Sequence, residues 1–442
     1  MSSITMSGIA ALILVGLAMV FGAPDRVGGS TGGLDREFGT GSKVHPADFD
    51  SRGIAVIATG KHDRIVLGDE SLRISSYMAD GAVDETFGGG SGSVDALVPR
   101  IEVPHLRAAI IQPDGKTLLG GYGSSRNGAD HIFSFLMRLN RGGEIDRSFG
   151  TGGTIRSSGL SAGFRGKSIH DLALDSRGRI VAAGREGRGV ATITRFRRDG
   201  SVDPSFGTKG STRLKAGVGV PMTAMSSILI RKDGKIVAGG TLGGQPAVVR
   251  LHPNGRLDRS FGDHGRAVGP RIVSGDCLNP TKLCVAGDIA ASPAGGIVYS
   301  GFNPRKGSSF VLRLTKNGKP DRRFSRDGVL WLDESAITSG LGSYGKMRRG
   351  TGAESYGSVV RDDGSIFSLV GVALRSRGYT TVGLNVSARG MVAKVRGQKV
   401  AFSSPEPDYP PTPPMGELLN GDILIGAWDS RQRPTLFRLA AP

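Results

Sequence analysis

The sequence has few of the residues from which metal sites and nucleophilic catalytic centres are built. Its 442 residues include two cysteines and seven histidines, and no two histidines have the His-x-x-x-His spacing. No phosphate-binding loop, nucleophile elbow, kinase signature or zinc motif is present. Asp48 and Asp50 resemble the start of a calcium loop, but the later oxygen ligands are missing. The sequence therefore predicts no catalytic residue, no metal site and no cofactor.

The two cysteines, Cys277 and Cys284, lie seven positions apart in one loop. In an exported protein such a pair predicts a local disulfide. Closing so short a loop contributes roughly 2–3 kcal/mol in the chain-entropy model. A metal site is not expected, because no histidine lies near the pair.

A sustained 3.6-residue apolar period is absent beyond the N-terminus, so almost no helix is expected. The exception is the N-terminal segment, residues 1–23, which contains the apolar run Ile9–Gly22 and ends in small residues, as a signal peptide does. Its uncharged length, Ile4–Ala23, would also suit an uncleaved membrane anchor. Either alternative predicts a protein that is secreted or associated with the cell envelope.

Acidic charge is in deficit. The formal net charge is +18 and the pI is near 10.3. A surface of this kind attracts polyanions such as nucleic acid, acidic polysaccharide or anionic lipid headgroups. The alternative is that arginine and lysine are spread over the whole surface without a specific partner.

A short motif, Asp-x-x-Phe-Gly, occurs five times, and a sixth copy has Ser in place of Gly. Consecutive copies lie 49 to 63 residues apart. We expect each Asp to accept backbone N–H bonds in an Asx-type turn and each Phe to pack between neighbouring units. The repeated residues are Asp35, Phe38, Asp84, Phe87, Asp146, Phe149, Asp203, Phe206, Asp258, Phe261, Asp321 and Phe324.

The unit around each motif is clearest between Met225 and Val268. Two apolar runs flank the turn Lys232–Lys235, a third run follows, and a second turn at Pro253–Gly255 precedes the motif. Asp-Gly and Asn-Gly turns between short β-rich runs are strong hairpin signals. Each unit is therefore predicted to be a four-stranded antiparallel meander, which is a blade of a β-propeller.

Blade counting predicts an all-β, seven-bladed β-propeller within residues 30–442. Six blades are expected at about 50–95, 105–156, 168–214, 225–268, 285–332 and 355–403. After a proline-rich linker, residues 415–442 supply three strands, and the unpaired copy at residues 30–44 supplies the fourth. We predict that these two segments form the closing blade, because closure removes exposed sheet edges.

The segments Gly143–Gly153, Ser201–Gly210 and Arg256–Gly265, with their upstream hairpins, resemble the delta-60 repeat family of bacterial, often exported, β-propeller repeat proteins. The resemblance extends from about Gly33 to Val329. It implies a repeat fold, and the family adds no activity, ligand or functional residue.

Long, irregular links are expected on one face of the propeller, between second and third strands and between blades. We call this the long-loop face. Its cations predict a site for an anionic partner, because binding residues usually lie on loops of a rigid scaffold. His170, Asp171 and Asp288 begin innermost strands and are candidates at the channel mouth. The candidate ligand-binding residues on the loops are Arg165, Lys167, Arg271, Arg305, Lys306, Arg348 and Arg349.

The function predicted from the sequence is an exported, monomeric binding or scaffold module. Its expected partner is an acidic polysaccharide, a cell-wall polymer or an acidic protein, whereas nucleic acid is not expected for an exported protein. The alternative is a propeller enzyme, similar to a lactonase or a sugar dehydrogenase, with a metal or cofactor at the channel mouth. Fold likeness alone cannot decide between these functions.

Overall fold

The computed structural model describes twenty-eight strands and one 3₁₀ turn, Gly88–Gly90. The described residues are 34–41, 43–46, 49, 53–61, 64–98, 101, 103–124, 132–157, 167–186, 190–214, 224–243, 245–269, 287–303, 308–333, 337, 353–374, 378–392, 401–403, 415–417, 422–428 and 433–439. The predicted leader, both cysteines and the proline-rich linker lie outside them. Within these residues no helix is long and apolar enough to cross a membrane.

The strands form seven four-stranded sheets, and every pairing within them is antiparallel. Blades 1 to 3 consist of β2 (Ile54–Thr59), β3 (Ile65–Asp69), β4 (Arg73–Tyr77), β5 (Ser93–Asp95); β6 (Val103–Ile111), β7 (Thr117–Ser124), β8 (Ile132–Leu139), β9 (Thr154–Arg156); and β10 (Lys167–Leu174), β11 (Ile180–Glu186), β12 (Val190–Phe196), β13 (Ser211–Leu214).

Blades 4 to 6 have the same order of strands. They consist of β14 (Ala224–Ile230), β15 (Ile236–Leu242), β16 (Gln245–Leu251), β17 (Arg266–Val268); β18 (Gly287–Ala291), β19 (Ile297–Asn303), β20 (Ser308–Leu314), β21 (Val329–Leu332); and β22 (Ala353–Val360), β23 (Ile366–Leu374), β24 (Gly378–Val386), β25 (Ala401–Ser403).

Blade 7 joins the two ends of the chain. It contains β26 (Met415–Glu417), β27 (Ile423–Trp428), β28 (Pro434–Leu439) and the N-terminal strand β1 (Lys43–Val44), in the order β1-β28-β27-β26. Lys43 pairs with Phe437 and Val44 pairs with Leu436, and Leu34 adds an isolated bridge to Leu439. The predicted seven-bladed propeller, closed by N- and C-terminal strands, is confirmed.

The hydrophobic core lies between blades rather than within one. Met225, Ile228 and Val249 of blade 4, for example, pack with Val181 and Ile193 of blade 3. The first strands of adjoining blades also pack against one another, as β10 does on both β6 and β14. Innermost strands are therefore buried on both faces, which explains their nearly continuous apolar runs.

Antiparallel order places the links between first and second strands and between third and fourth strands on the same face. We call this the motif face, because the Asp-x-x-Phe-Gly copies lie in the third-to-fourth links. The sequence predicts short turns for both sets of links. The structure has only short final strands, so the link from Leu251 to Arg266 contains a hairpin turn and then the motif turn.

Candidate functional site

The six motif carboxylates all close the same turn. One carboxylate oxygen of each accepts a hydrogen bond from the backbone N–H two residues later, as Ser260 donates to Asp258 Oδ1 at 3.1 Å. The other five distances, from 3.0 to 3.2 Å, belong to Asp35, Asp84, Asp146, Asp203 and Asp321. This geometry is an Asx turn, which satisfies backbone donors locally.

The second carboxylate oxygen binds an arginine. Arg250 in β16 lies eight residues before Asp258 and donates from Nε to its Oδ2 at 2.8 Å. Arg138 and Arg195 repeat the bond at 2.7 and 2.8 Å to Asp146 and Asp203. In blade 1, Ser76 occupies the position of this arginine, and Arg64 reaches Asp84 from the first turn at 3.0 Å.

The same residues join each blade to the next. Arg250 Nη1 donates to the Lys316 carbonyl of blade 5 at 2.6 Å, and Gly262 N–H donates to the Asn317 carbonyl at 2.8 Å. The Phe261 ring lies against Gly318, where an added Cβ would approach it to 2.8 Å. The Arg250 guanidinium lies 4.6 Å from the centre of the Phe261 ring. We call the Asp, Phe and Arg with these contacts a blade clasp.

Within the part of the chain that the structure describes, clasps join six of the seven blade pairs. Backbone bonds from the motif residue at the Gly position run from blade 7 to 1, 1 to 2, 2 to 3, 3 to 4, 4 to 5 and 5 to 6. The described part of blade 6 contains no copy. Burial alone would raise the pKa of Asp258, but bonds from Ser260, Lys235 and Arg250 outweigh it and lower that pKa. The repeated carboxylates are therefore structural groups whose oxygens already have hydrogen-bond partners.

Asp288 is the second residue of its innermost strand, β18, whereas Asp171 lies in the middle of β10 and not at the strand start that the sequence predicts. Both carboxyl groups accept hydrogen bonds from groups of neighbouring strands. Asp171 accepts the N–H groups of Leu172 and, from blade 4, Ile228, both at 2.7 Å. Asp288 Oδ1 accepts the Ser227 hydroxyl at 2.6 Å and the Ile289 N–H at 2.8 Å. Asp288 Oδ2 has no hydrogen-bond partner among the described residues. Both side chains thus tie blades together.

Burial changes the ionisation of this pair. Desolvation is the main cause that raises the pKa of Asp171 well above its ordinary value, and the Asp288 carboxyl is the second. The hydrogen bonds from backbone N–H groups act in the opposite direction and are outweighed. Desolvation also raises the pKa of Asp288 to about 7, although Ser227 and Ile289 stabilise the carboxylate. A carboxyl with a raised pKa favours folding when protonated, and this stability is lost as pH rises through the folded-state pKa.

Replacing Asp288 by Asn is expected to remove a pH dependence of stability. In the wild type this group should lower the free energy of unfolding by about 1.4 kcal/mol per pH unit between about pH 4 and 7. Asn stays neutral and keeps an oxygen for Ser227 and Ile289. The free energy of unfolding of the variant, relative to that of the wild type, should therefore increase as the pH rises from about 4 to 7. Urea unfolding at several pH values measures this. The half-exposed Asp233→Asn serves as control, and a pH-independent difference would show that Asp288 is always ionised.

His170 is a neutral imidazole at the bulge of β10, where the register shifts between Ile169 and Asp171. Its Nε2 lies 2.7 Å from Ser168 Oγ. Burial, followed by the nearby guanidinium groups of Arg185 and Arg107, lowers the pKa of His170 to about 3. A histidine this acidic stays uncharged at neutral pH, so it is suited to hydrogen bonding and not to acid catalysis there.

Around His170 lies a polar cluster that sequence reasoning missed. Arg107 occupies the equivalent bulge of β6 and donates to Glu70 Oε1 at 2.5 Å and to the Tyr122 hydroxyl at 3.3 Å. His105 Nδ1 lies 3.5 Å from Glu70 Oε2. Burial would raise the pKa of Glu70, but His105 and Arg107 outweigh it and lower the pKa to about 2. We call Glu70, His105, Arg107, Tyr122, Ser168, His170 and Arg185 the channel-mouth cluster.

One signal in the sequence could have revealed this cluster. When the units are aligned on their first hairpins, Arg107 and His170 occupy the same position of an otherwise apolar innermost strand. A charged or titratable residue at such a buried position is a functional-site candidate. Glu70 and Tyr122 carry no comparable signal, because Glu70 follows the second strand of blade 1 and Tyr122 lies within the second strand of blade 2.

Most of the predicted loop cations lie outside the described residues. Arg165, Arg271, Arg305, Lys306, Arg348 and Arg349 lie outside the described residues, and so do Cys277 and Cys284. Lys167 begins β10 opposite Glu186, and only its backbone is described. Among the described residues no three His, Cys, Asp or Glu side chains come together as metal ligands would.

Exposed charge on the motif face is distributed unevenly. Among the described residues, the links of blades 7, 1 and 2 contain four exposed cations and five exposed carboxylates. The described links of blades 3 to 5 contain twelve exposed cations but only four exposed carboxylates, which are Asp199, Asp233, Asp263 and Asp327. We call these cations the basic arc: Arg177, Arg197, Arg198, Lys209, Lys232, Arg256, Arg259, Lys316, Lys319, Arg322, Arg323 and Arg326.

Comparisons with known proteins agree with the architecture. A family model described as a domain of unknown function (DUF5122) beta-propeller matches residues 112–149 and 231–261, and no curated protein matches the sequence. The solved structure of U3-55K matches with a TM-score of 0.51 and 9% identity, over 90% of this chain and 98% of that chain. The structure of virginiamycin B lyase from Staphylococcus aureus matches with a TM-score of 0.45 and 10% identity, over 90% of this chain and 98% of that chain. At 9% identity the U3-55K structure shows the fold alone, and the two segments matched by the family model support a β-propeller repeat family.

Proposed function

We propose that this propeller is a binding module for an anionic polymer, either an acidic polysaccharide or a cell-wall polymer, held on the basic arc. The observation that supports this proposal is the uneven distribution of exposed charge on the motif face. Arginine and lysine spread by composition alone would occur equally around the ring, whereas one half has three cations for every carboxylate and the other has none in excess.

The links that bear these cations are held rigidly. The turn before Arg256 receives bonds from blade 3, where Arg195 Nη1 donates to the Pro253 carbonyl and Thr212 Oγ1 donates to the Gly255 carbonyl at 2.6 Å. The Lys316 carbonyl is likewise bound by Arg250. Charges on ordered turns lose less conformational freedom on binding than charges on mobile loops. A curved row across three blades suits a linear repeating anion better than a compact ligand.

Matched charge removal tests this proposal. The variant Lys232→Gln/Arg259→Gln/Lys319→Gln/Arg322→Gln removes four exposed cations of the arc. The control Arg36→Gln/Lys61→Gln/Arg141→Gln/Arg147→Gln removes four from the other half of the same face. Binding of polygalacturonate and of a polyol-phosphate wall polymer is measured by calorimetry at low and physiological salt. We expect about tenfold weaker binding and a shallower salt dependence for the arc variant only, because exposed charges act within a Debye length of about 10 Å.

Two results would contradict the proposal. Equal loss in both variants would mean that net charge alone attracts the polymer, and binding of an acidic protein but no polysaccharide would redirect the search. The enzyme alternative rests on the channel mouth instead. It would be favoured if the purified protein held a metal in a one-to-one ratio and bound no polymer.

A further inference from the structure

The link between the third and fourth strands of blade 4 contains an open depression on the motif face. Its volume is about 660 Å³, within the range of about 300–1,000 Å³ that is usual for small-ligand sites. The link lies at the middle of the basic arc, because the arc extends over blades 3 to 5. We call this depression the blade-4 site, and it is lined by His252, Pro253, Asn254, Arg256, Leu257 and Arg259.

The backbone of the blade-4 site is held in place from two sides. Within the turn, the Gly255 N–H donates to the His252 carbonyl at 2.9 Å. Asn254 Oδ1 accepts a hydrogen bond from the Arg256 N–H at 3.1 Å. From blade 3, the Gly207 N–H donates to the Asn254 carbonyl at 2.8 Å. A ligand therefore orders side chains only, which lowers the entropic cost of binding.

The side chains of the site have unused hydrogen-bond donors. Arg250 of the clasp, by contrast, donates from Nε, Nη1 and Nη2 to protein groups. Arg256 and Arg259 are exposed, and among the described residues neither guanidinium group forms a hydrogen bond or an ion pair. Because the side-chain oxygen of Asn254 accepts the turn bond, its amide N–H groups remain as donors. The site thus presents both cationic and neutral donors.

The same turn in blade 2 shows that these side chains are not needed for the turn itself. It closes with the same backbone bonds, although Asn140 and Glu144 occupy its first and last positions. There the Asn140 amide donates to the Glu144 carboxylate at 2.9 Å, so the two side chains satisfy each other. Blade 4 has His252 and Arg256 at these positions. Since the fold does not require them, the donors of the blade-4 site are available for a ligand.

We propose that the blade-4 site is the subsite of the basic arc that binds one hexuronate unit, so that the polymer is a uronate-containing polysaccharide. This inference rests on the proposed function and names its ligand class. The planar forks of Arg256 and Arg259 match a carboxylate, and the Asn254 amide donates to a ring hydroxyl. Pro253 and Leu257 offer apolar surface to the C–H groups on one face of the sugar ring. A polyol phosphate chain has no such ring face, so a uronate uses more of the site.

Substitution of arginine by lysine tests the site, because lysine keeps the charge but loses the planar fork. Binding of trigalacturonate is measured by calorimetry at low and physiological salt. Arg256→Lys and Arg259→Lys should each weaken it about tenfold, because hydrogen bonds to charged groups are strong. The control is Arg147→Lys, at the position in blade 2 that corresponds to Arg259, and it should leave binding unchanged.

A second pair of variants tests the neutral donor. Asn254→Asp keeps the turn, since Asp80 and Asp199 accept the corresponding N–H in blades 1 and 3 at 2.9 and 2.8 Å. It places a carboxylate beside the bound uronate, so affinity for trigalacturonate should fall about tenfold or more. Asn317→Asp makes the same change of charge at the equivalent turn of blade 5, outside the site, and should lower the affinity less than about threefold.

Three results would overturn the inference, and they separate it from the proposed function. If Arg256→Lys and Arg259→Lys bind trigalacturonate as Arg147→Lys does, the subsite does not exist, and the loss of polymer binding in the quadruple arc variant still supports the proposed function. If a glycerol phosphate trimer shows the same losses in these variants, the ligand is a phosphate and the uronate assignment is wrong. If the wild type binds neither trigalacturonate nor either polymer, both proposals fail.

Discussion

Replacing Asp258 by Ala is expected to lower the free energy of unfolding by about 3–5 kcal/mol, the usual effect of removing one partner of a buried ion pair. The Asp258 side chain is 3% exposed and Arg250 is 7% exposed. Without the carboxylate, the buried Arg250 loses its main partner, and the Asx turn loses the acceptor for the Ser260 N–H and hydroxyl groups. Urea denaturation, followed by circular dichroism, measures the loss.

Two further variants separate the clasp from charge in general. Asp263→Ala removes a carboxylate five residues later whose side chain is 90% exposed, and it should change stability by less than about 0.5 kcal/mol. Asp258→Asn keeps an oxygen for the turn but not the charge, so it should fall between the two alanine variants. Similar values for Asp258→Ala and Asp263→Ala would mean that the clasp adds nothing to stability.

A chain that begins at residue 49 is expected to lose more than about 5 kcal/mol of stability relative to one that begins at residue 31. The shorter chain lacks β1 and the closing clasp. Loss of a buried phenylalanine such as Phe38 alone costs about 3–5 kcal/mol, and Phe38 is completely buried. Arg438 also loses its bond to Asp35 and keeps its contacts with the Ala79 carbonyl and with Asp422, the latter at 3.4 Å. Blade 7 then exposes the edge of β28, which favours aggregation.

Complementation provides the control for this prediction. A synthetic peptide of residues 31–49 should bind the shortened chain and restore its melting temperature, because β1 joins blade 7 by pairing with β28. The same peptide with Phe38→Ala should restore much less. If the two chains melt at the same temperature without peptide, ring closure does not stabilise the fold.

The architecture was readable from local signals. The turn Lys232–Lys235 and the recurring motif specify backbone conformations over a few residues, and hairpins and Asx turns form wherever those residues occur. Counting them predicts seven blades. The short length of β1 and the long third-to-fourth links were not predicted, because the ends of a strand depend on which backbone groups form hydrogen bonds with a neighbouring strand.

The side-chain contacts of the repeated residues could not be predicted from the sequence. Asp84 shows why: its arginine is Arg64, from the first turn, whereas blades 2 to 5 supply an arginine eight residues before the motif Asp. Similarly, Phe261 packs on Gly318, 57 residues later, in the next blade. Such contacts depend on how blades are placed beside one another, which no local pattern encodes.

The sequence by itself determined the number of blades, the order of strands and the closure of the ring, because each follows from turn chemistry and alternation that act over a few residues. Only the tertiary structure decided that the motif joins neighbouring blades, that the exposed cations gather over blades 3 to 5, and that Glu70, Arg107 and His170 meet at the channel mouth. The reason is physical: these residues are separated by tens of positions, and only the packing of blades around a common axis brings them within reach of one another.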